Sequence, residues 1–208
     1  MKKIIRVLHI GFLAMFLLSI CSFAVEIDKY YTSRSDDGIY KLASPLPYLM
    51  LAGVATKALV DGNSTKAGVV AWKAADAAIT GAIAEKILAY SIGRKRPNQT
   101  ESSSEWFSFD GSDSFPSGHV TVVTAIVTPY ILNYKDEYPA VWMLAALPIF
   151  EAIGRVKAKK HWTTDTLAGI ALGVTSGYLA NNRNTPLILE IIPLEQSKGI
   201  YMGIRYKF

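Results

Sequence analysis

AGVVAWKAADAAITGAIAEKILAYSIGRKRP, Ala67 to Pro97, is a long alanine-rich run that ends in a cluster of cations. Alanine is the best helix former, and the charges Lys73, Asp76, Glu85 and Lys86 are spaced along the run rather than clustered within it. The stretch therefore predicts a helix over Ala67 to Ile92. Gly93 stops it and Pro97 prevents it from restarting. A helix of that length and composition makes the body of the chain all-α.

Working outward, the same pattern recurs. Pro45 to Val60 reads as a helix closed by Asp61-Gly62-Asn63, and a turn signal stands upstream at Ser35-Asp36-Asp37-Gly38. Downstream, Asn98 to Ser114 is a loop rich in Ser, Glu and Asp that carries Trp106, Phe107 and Phe109. Val120 to Tyr134 reads as a helix bent near Pro129, followed by helices over Ala140 to Ile153 and Asp165 to Ala180. Leu187 to Ile192 and Ile200 to Phe208 read as two strands around a turn at Ser197-Lys198-Gly199. There is no internal repeat and no second domain. The expected organisation is a leader over residues 1–24, a helical domain over 25–184 and a C-terminal β-hairpin over 185–208.

The leader follows from Lys2, Lys3 and Arg6 ahead of the apolar stretch Ile10 to Ile20, with Ser22-Phe23-Ala24 as the cleavage signal. The apolar stretch is short for a membrane span, so cleaved secretion is expected, with an uncleaved anchor as the alternative. Bulky Ile20 directly before Cys21 argues against lipidation. The whole chain has 208 residues, 50% of them apolar, and a formal charge of +5. Three of its 22 Lys and Arg lie in the leader, which leaves 19 against 17 acids, or +2. That balance, with no basic face interleaved with aromatics, argues against nucleic acid as a partner. The one cysteine leaves with the leader, so the mature chain has no disulfide and no thiol chemistry.

The polar residues gather at helix ends three times: Gly93 to Pro97, Phe115-Pro116-Ser117-Gly118-His119, and Gly154-Arg155 through His161-Trp162-Thr163-Thr164-Asp165. A lone histidine at a helix end is usually a cap or a surface residue, and cations after a helix usually complement its dipole. Here both histidines outside the leader fall at such ends, with arginines near them. That arrangement suits a phosphate. A helix start offers free N–H groups to an oxyanion, and Arg96 and Arg155 can fork onto its oxygens. One histidine can attack phosphorus while the other protonates the leaving oxygen. Asp165, four residues after His161, shares its helical face and can fix its tautomer.

These three clusters resemble the signatures of the type 2 phosphatidic acid phosphatase and vanadium haloperoxidase superfamily: Lys, six residues, Arg-Pro; then Pro-Ser-Gly-His; then Ser-Arg, five residues, His, three residues, Asp. Arg96-Pro97 matches the end of the first, Pro116 to His119 the whole of the second, and Arg155, His161 and Asp165 the third. The resemblance spans about Ala67 to Ala180. It implies that fold, with His161 as a nucleophile forming a phosphohistidine, Asp165 as its orienting partner and His119 as the general acid. It also implies that Arg96, Arg155, Ser117 and Gly118 hold the phosphoryl oxygens, with no metal, no cofactor, and vanadate as an inhibitor.

Two positions depart from the pattern. Gly154 replaces the serine before Arg155, and Ala89 stands where the first signature has lysine. Lys86, one turn earlier, and Arg94 are the candidate replacements, with Lys95 a further one. Trp106, Phe107 and Phe109 are candidates to flank a lipid chain or an aromatic leaving group, or else they pack the loop onto the bundle. The expected substrate is a phosphorylated lipid of the cell envelope or a small phosphate ester, met outside the cytoplasm with or without membrane association. No protein partner is expected. The alternatives are a soluble periplasmic acid phosphatase, a non-catalytic phosphate- or lipid-binding protein motivated by Ala89, and a haloperoxidase holding vanadate. Each apolar run is about fourteen or fifteen residues, below the roughly twenty of a span, so buried bundle helices are at least as good a reading as membrane helices.

Overall fold

The computed structural model describes residues 27–30 and 38–183 together with the backbone of two short strands. The leader expected over residues 1–24 lies outside the described residues, as do the turn at Ser197-Lys198-Gly199 and the outer parts of both expected strands.

Among the described residues five α-helices follow one another: α1 (Leu46–Asp61), α2 (Lys66–Ile92), α3 (Gly118–Tyr134), α4 (Ala146–Lys157) and α5 (Thr163–Asn181). A 3-10 turn, Gly38–Ala43, precedes α1, and a second, Pro139–Ala145, leads into α4. The expected helix over Ala140 to Ile153 is thus a 3-10 turn running into an α-helix. Proline at 129 does not end α3, which continues to Tyr134. The expected hairpin is present as β1 (Glu190–Pro193) paired antiparallel with β2 (Ile200–Gly203), in the register Glu190 to Gly203 and Pro193 to Ile200.

Local chemistry sets the bounds of α2. The Thr65 hydroxyl accepts from the Gly68 amide at 2.9 Å, satisfying one of the first-turn donors. At the other end Gly93 adopts φ 58°, and its N–H closes on the Ala89 carbonyl at 2.8 Å. A left-handed residue ending a helix is where glycine is favoured.

Small residues allow the helices to approach closely. Ala74, Ala75 and Ala78 of α2 pack with Val54 and Ile126, while Ala77, Ala125 and Ala180 form a second cluster. The tightest seam joins α5 to α3. A Cβ on Gly173 would stand 2.5 Å from Thr124 Cβ and 2.6 Å from the Thr121 carbonyl oxygen, and one on Gly169 would stand 2.7 Å from the Ser117 carbonyl. Glycines four apart thus let the two backbones touch, a packing device shared with membrane helices. This seam brings the start of α5 against the start of α3.

Among the described residues two segments are long and apolar enough to cross a membrane, 27 residues at Lys66–Ile92 and 19 residues at Pro139–Lys157. The first matches the expected helix over Ala67 to Ile92 to within a residue, whereas the second is longer than the one expected over Ala140 to Ile153, because the 3-10 turn from Pro139 and the last residues through Lys157 add to it. Only 22% of the apolar window in Pro139–Lys157 is covered by the rest of the protein, so most of that surface faces outward. Ile83, Ile87 and Tyr90 on α2 and Leu167, Val174 and Tyr178 on α5 are likewise exposed. These residues recur at helical spacing, giving each of the two helices an exposed apolar stripe.

Candidate active site

The C-termini of α2 and α4 and the N-termini of α3 and α5 bring the three sequence clusters to one end of the bundle. His161 lies just ahead of α5 and is 3% exposed. Its Nδ1 stands 2.7 Å from the Ser114 carbonyl oxygen. A carbonyl can only accept, so Nδ1 carries the proton and Nε2 keeps the lone pair. This is the tautomer a nucleophilic imidazole requires. Burial pushes His161 below the usual histidine range; Asp165 opposes this, while Arg96 and Arg155 add to it.

The tautomer is fixed by a different atom from the one the spacing indicated. Asp165 Oδ2 is 3.8 Å from His161 Nδ1, an electrostatic neighbour rather than a hydrogen-bond acceptor. Its carboxylate instead accepts from the Ser114 hydroxyl at 2.5 Å, the Trp162 amide at 2.8 Å and Arg94 at 2.5 Å. Asp165 thus caps its own helix and holds Ser114, and Ser114 orients His161. The sequence reading did not single out Ser114. The signal available was its place one residue ahead of Phe115, at the entrance to the second cluster.

His119 sits in the first turn of α3, half-buried, its ring edge-on to Tyr48 with centroids 5.6 Å apart. Burial and the positive charges of Arg155, His161, Arg96 and Lys86 push it from an ordinary 6.5 down to about 3. Arg155, Arg96 and Lys86 therefore share one positive field with His119. That field accepts an anion, and a phosphate dianion placed in it would raise His119 again.

Arg96 and Lys86 meet on one carboxylate. Arg96 donates to Asp113 Oδ1 from Nε at 2.9 Å and from a terminal nitrogen at 2.8 Å, while Lys86 lies 3.5 Å from Asp113 Oδ2. Burial raises Asp113, but Arg96, Lys86 and His161 outweigh it and hold the carboxyl below its usual value. Lys86 thus reaches the region that a lysine at 89 would serve, whereas Ala89 is wholly buried. Arg155, 6% exposed, places a terminal nitrogen 3.4 Å from the Ser44 hydroxyl, and its Nε has no hydrogen-bond partner.

The α3 start divides its donors. The Ser117 amide donates to the Asp165 carbonyl at 2.9 Å and so is not available to a phosphate, contrary to the expectation of a free backbone there. The Ser117 hydroxyl is buried without a partner, and intrahelical bonding begins only with Thr121 on Ser117, ahead of which stand the amides of Gly118, His119 and Val120. A Cβ on Gly118 would lie 3.0 Å from the Glu85 carboxylate, which puts a buried acid against the cradle. Glu85 read in the sequence only as one of the charges on the long helix.

Two further expectations change. Arg94, a candidate phosphate ligand, is fully buried and turned away from the phosphate side. Its terminal nitrogens bind Asp165, Asp28, Thr164 and the Ser103 carbonyl, and its plane lies 4.0 Å from the Trp106 ring centroid. Trp106 is correspondingly engaged, packed between Arg94 and Phe115, whose ring centroid is 5.2 Å away. Of the three loop aromatics only Phe107 and Phe109 face outward, 47% and 68% exposed. Both adopt positive φ, 59° and 49°, which bulky residues rarely do. They are held there by Phe107 and Ser108 amides bonded to the carbonyls of Ile92 and Gly93, each at 2.9 Å.

Over 93 residues, 43% of this chain, the sequence is 33% identical to the lipid A 1-phosphatase of Porphyromonas gingivalis. The chain spans 18% of that relative's length. A crystal structure of a transmembrane PAP2-type phosphatidylglycerolphosphate phosphatase from Bacillus subtilis aligns with 78% of this chain and 81% of its own, at 22% identity and a TM-score of 0.46. The sequence model of the PAP2 superfamily matches residues 70–185, more than half of the 208 and inclusive of all three clusters. The chain belongs to the PAP2 superfamily.

Proposed function

We propose that the protein is a phosphatase of membrane lipids, which transfers the phosphoryl group of a phosphate monoester to His161 and then to water. The observation that carries this reading is the 2.7 Å contact of His161 Nδ1 with the Ser114 carbonyl, which leaves Nε2 unprotonated inside a cationic site.

In the first step the Nε2 lone pair forms a bond to phosphorus as the bond to the ester oxygen breaks. His119 gives its proton to that oxygen, so the alcohol leaves neutral. In the second, His119 takes a proton from water, whose oxygen displaces the phosphorus–nitrogen bond and releases inorganic phosphate. Arg96, Arg155, Lys86 and the Ser117 hydroxyl stabilise charge on the equatorial oxygens, while the Gly118 to Val120 amides face them with the positive end of α3. Neither step requires a metal.

Three features support a lipid substrate. The apolar stripes on α2, α5 and Pro139–Lys157 suit a bilayer. Phe107 and Phe109 are presented at the same end of the bundle as the site. The similar enzyme from Porphyromonas gingivalis is named for removing the 1-phosphate of lipid A. Export by the leader expected over residues 1–24 would put the site outside the cytoplasm. Ala89 favours a second reading, a phosphate-binding protein without turnover, because one cation of the family pattern is missing. Brief mixing with a phosphorus-labelled ester followed by alkaline quench separates the two. Label retained on wild type and absent from His161→Gln supports the phosphatase, whereas no label on either protein favours binding alone.

A further inference from the structure

Asp28 lies in the segment ahead of the bundle, yet its side chain is fully buried behind the site. Its Oδ1 accepts from the Thr164 amide at 2.8 Å, and its Oδ2 accepts from the Thr164 hydroxyl at 2.5 Å and from Arg94 at 2.6 Å. The first turn of α5 needs such an acceptor. The residue before the helix is Trp162, whose side chain has no oxygen to offer, and Asp165 already serves the Trp162 amide. Asp28 supplies the missing cap from 136 residues earlier in the chain.

Asp28 also shares Arg94 with Asp165. The guanidinium is fully buried, bonded to one carboxylate on each side, and faced by the rings of Trp106 at 4.0 Å and Trp162 at 5.5 Å. With both acids in place the positive charge is divided between them. If Asp28 were neutral, Asp165 alone would compensate a buried cation, and its remaining lone pairs are the ones that hold Ser114 and the Trp162 amide. The Ser114 carbonyl in turn accepts the hydrogen bond from His161 Nδ1–H. A chain of contacts of 2.5 to 2.7 Å therefore runs from Asp28 through Arg94, Asp165 and Ser114 to the imidazole.

We propose that Asp28 is a positioning residue of the phosphoryl-transfer site, holding Asp165 and Ser114 in register through Arg94 so that His161 keeps its Nδ1 proton and presents Nε2. This rests on the reading of His161 as the nucleophile. Asp28 touches neither His161 nor the phosphate cradle. Its effect is expected in the rate of the chemical step and in the imidazole tautomer, with little effect on substrate affinity.

The test uses the full chain in detergent, with Asp28→Asn beside wild type. Nitrogen-15 histidine spectra report the His161 tautomer, and steady-state kinetics use a soluble aryl phosphate. In Asp28→Asn, kcat falls on the order of 10- to 100-fold, as expected when a reacting group is mis-set by a fraction of an ångström, while KM stays within about threefold. The wild-type Nδ1–H signal gives way to a mixture of tautomers. A folded Asp28→Asn that keeps wild-type kcat and the Nδ1–H signal overturns the proposal, as does a change confined to KM. If wild type turns nothing over, the nucleophile reading fails, but the tautomer comparison still decides whether Asp28 positions the ring. If Asp28→Asn does not fold, the decision passes to Asp28→Glu, which keeps the charge and shifts the carboxylate by one methylene. A lowered kcat at unchanged KM then supports the assignment, and wild-type kcat overturns it.

Discussion

Positive charge around His119 has a consequence for stability as well as for catalysis. In the folded protein His119 titrates near 3 against an ordinary 6.5, and burial lowers His161 too. Between those values the unfolded chain binds more protons than the folded one. Stability from these groups is therefore complete above about 6.5 and is lost as pH falls toward 3. The unfolding midpoint should drop through that window, less steeply in His119→Gln, and saturating phosphate should reduce the drop by raising the folded-state pKa. A midpoint insensitive to His119 would contradict the burial and field assigned to it. Lys86 carries a second expectation. With Ala89 buried and uncharged, Lys86→Met should lower kcat/KM for an aryl phosphate by roughly 10- to 100-fold, somewhat under the loss of a full oxyanion donor. An unchanged value would mean that the Asp113 pairing, not phosphate, is its whole role. At this scale the sequence displayed the groups proposed to meet phosphate, because His119, His161, Arg96 and Arg155 stand in recognisable spacings. It concealed the groups that hold them. Arg94 and Asp28 are 66 residues apart and share no period, so one looked like a ligand and the other carried no signal.

At the scale of elements, the approach of α5 to α3 sets the distance between the two histidine clusters. Gly173→Ala would put a methyl group 2.5 Å from Thr124 Cβ and against the Thr121 carbonyl. Backbone cannot give way as a flexible side chain does, so overpacking should destabilise by about 1–3 kcal/mol. Thermal unfolding should show it as a midpoint lower by several degrees, with kcat falling as the helix starts move apart. A neutral Gly173→Ala would show that the seam is looser than drawn. Helix positions were legible in the sequence because alanine content, glycine stops and proline breaks act locally. The seam was not, since what Gly169 and Gly173 pack against lies on α3, more than forty residues away in the chain, and leaves no local pattern around them. The 3-10 start of the Pro139–Lys157 segment was equally hidden, Pro139 to Ala145 having the composition of ordinary helix.

For the molecule as a whole, the site sits at one end of a bundle whose sides are apolar, with Phe107 and Phe109 exposed on the loop that closes that end. If the substrate is drawn from a bilayer, the double change Phe107→Ser and Phe109→Ser should lower kcat/KM on a lipid phosphate in reconstituted vesicles about tenfold. Hydrolysis of a soluble aryl phosphate should stay within about twofold. Equal losses on both substrates would assign the two rings to loop packing instead. Charge and hydropathy made the greasy character plain in the sequence, but which faces stay uncovered depends on how five helices share their contacts, and no single segment records that.

The central claim is that His161 carries the phosphoryl group without a metal. The most direct test is phosphate release by the detergent-solubilised protein in excess chelator, from a lipid phosphate and an aryl phosphate, with His161→Ala beside wild type. Release should survive chelation and be abolished by His161→Ala on both substrates. Release that stops on chelation, or that persists in folded His161→Ala, would contradict that claim.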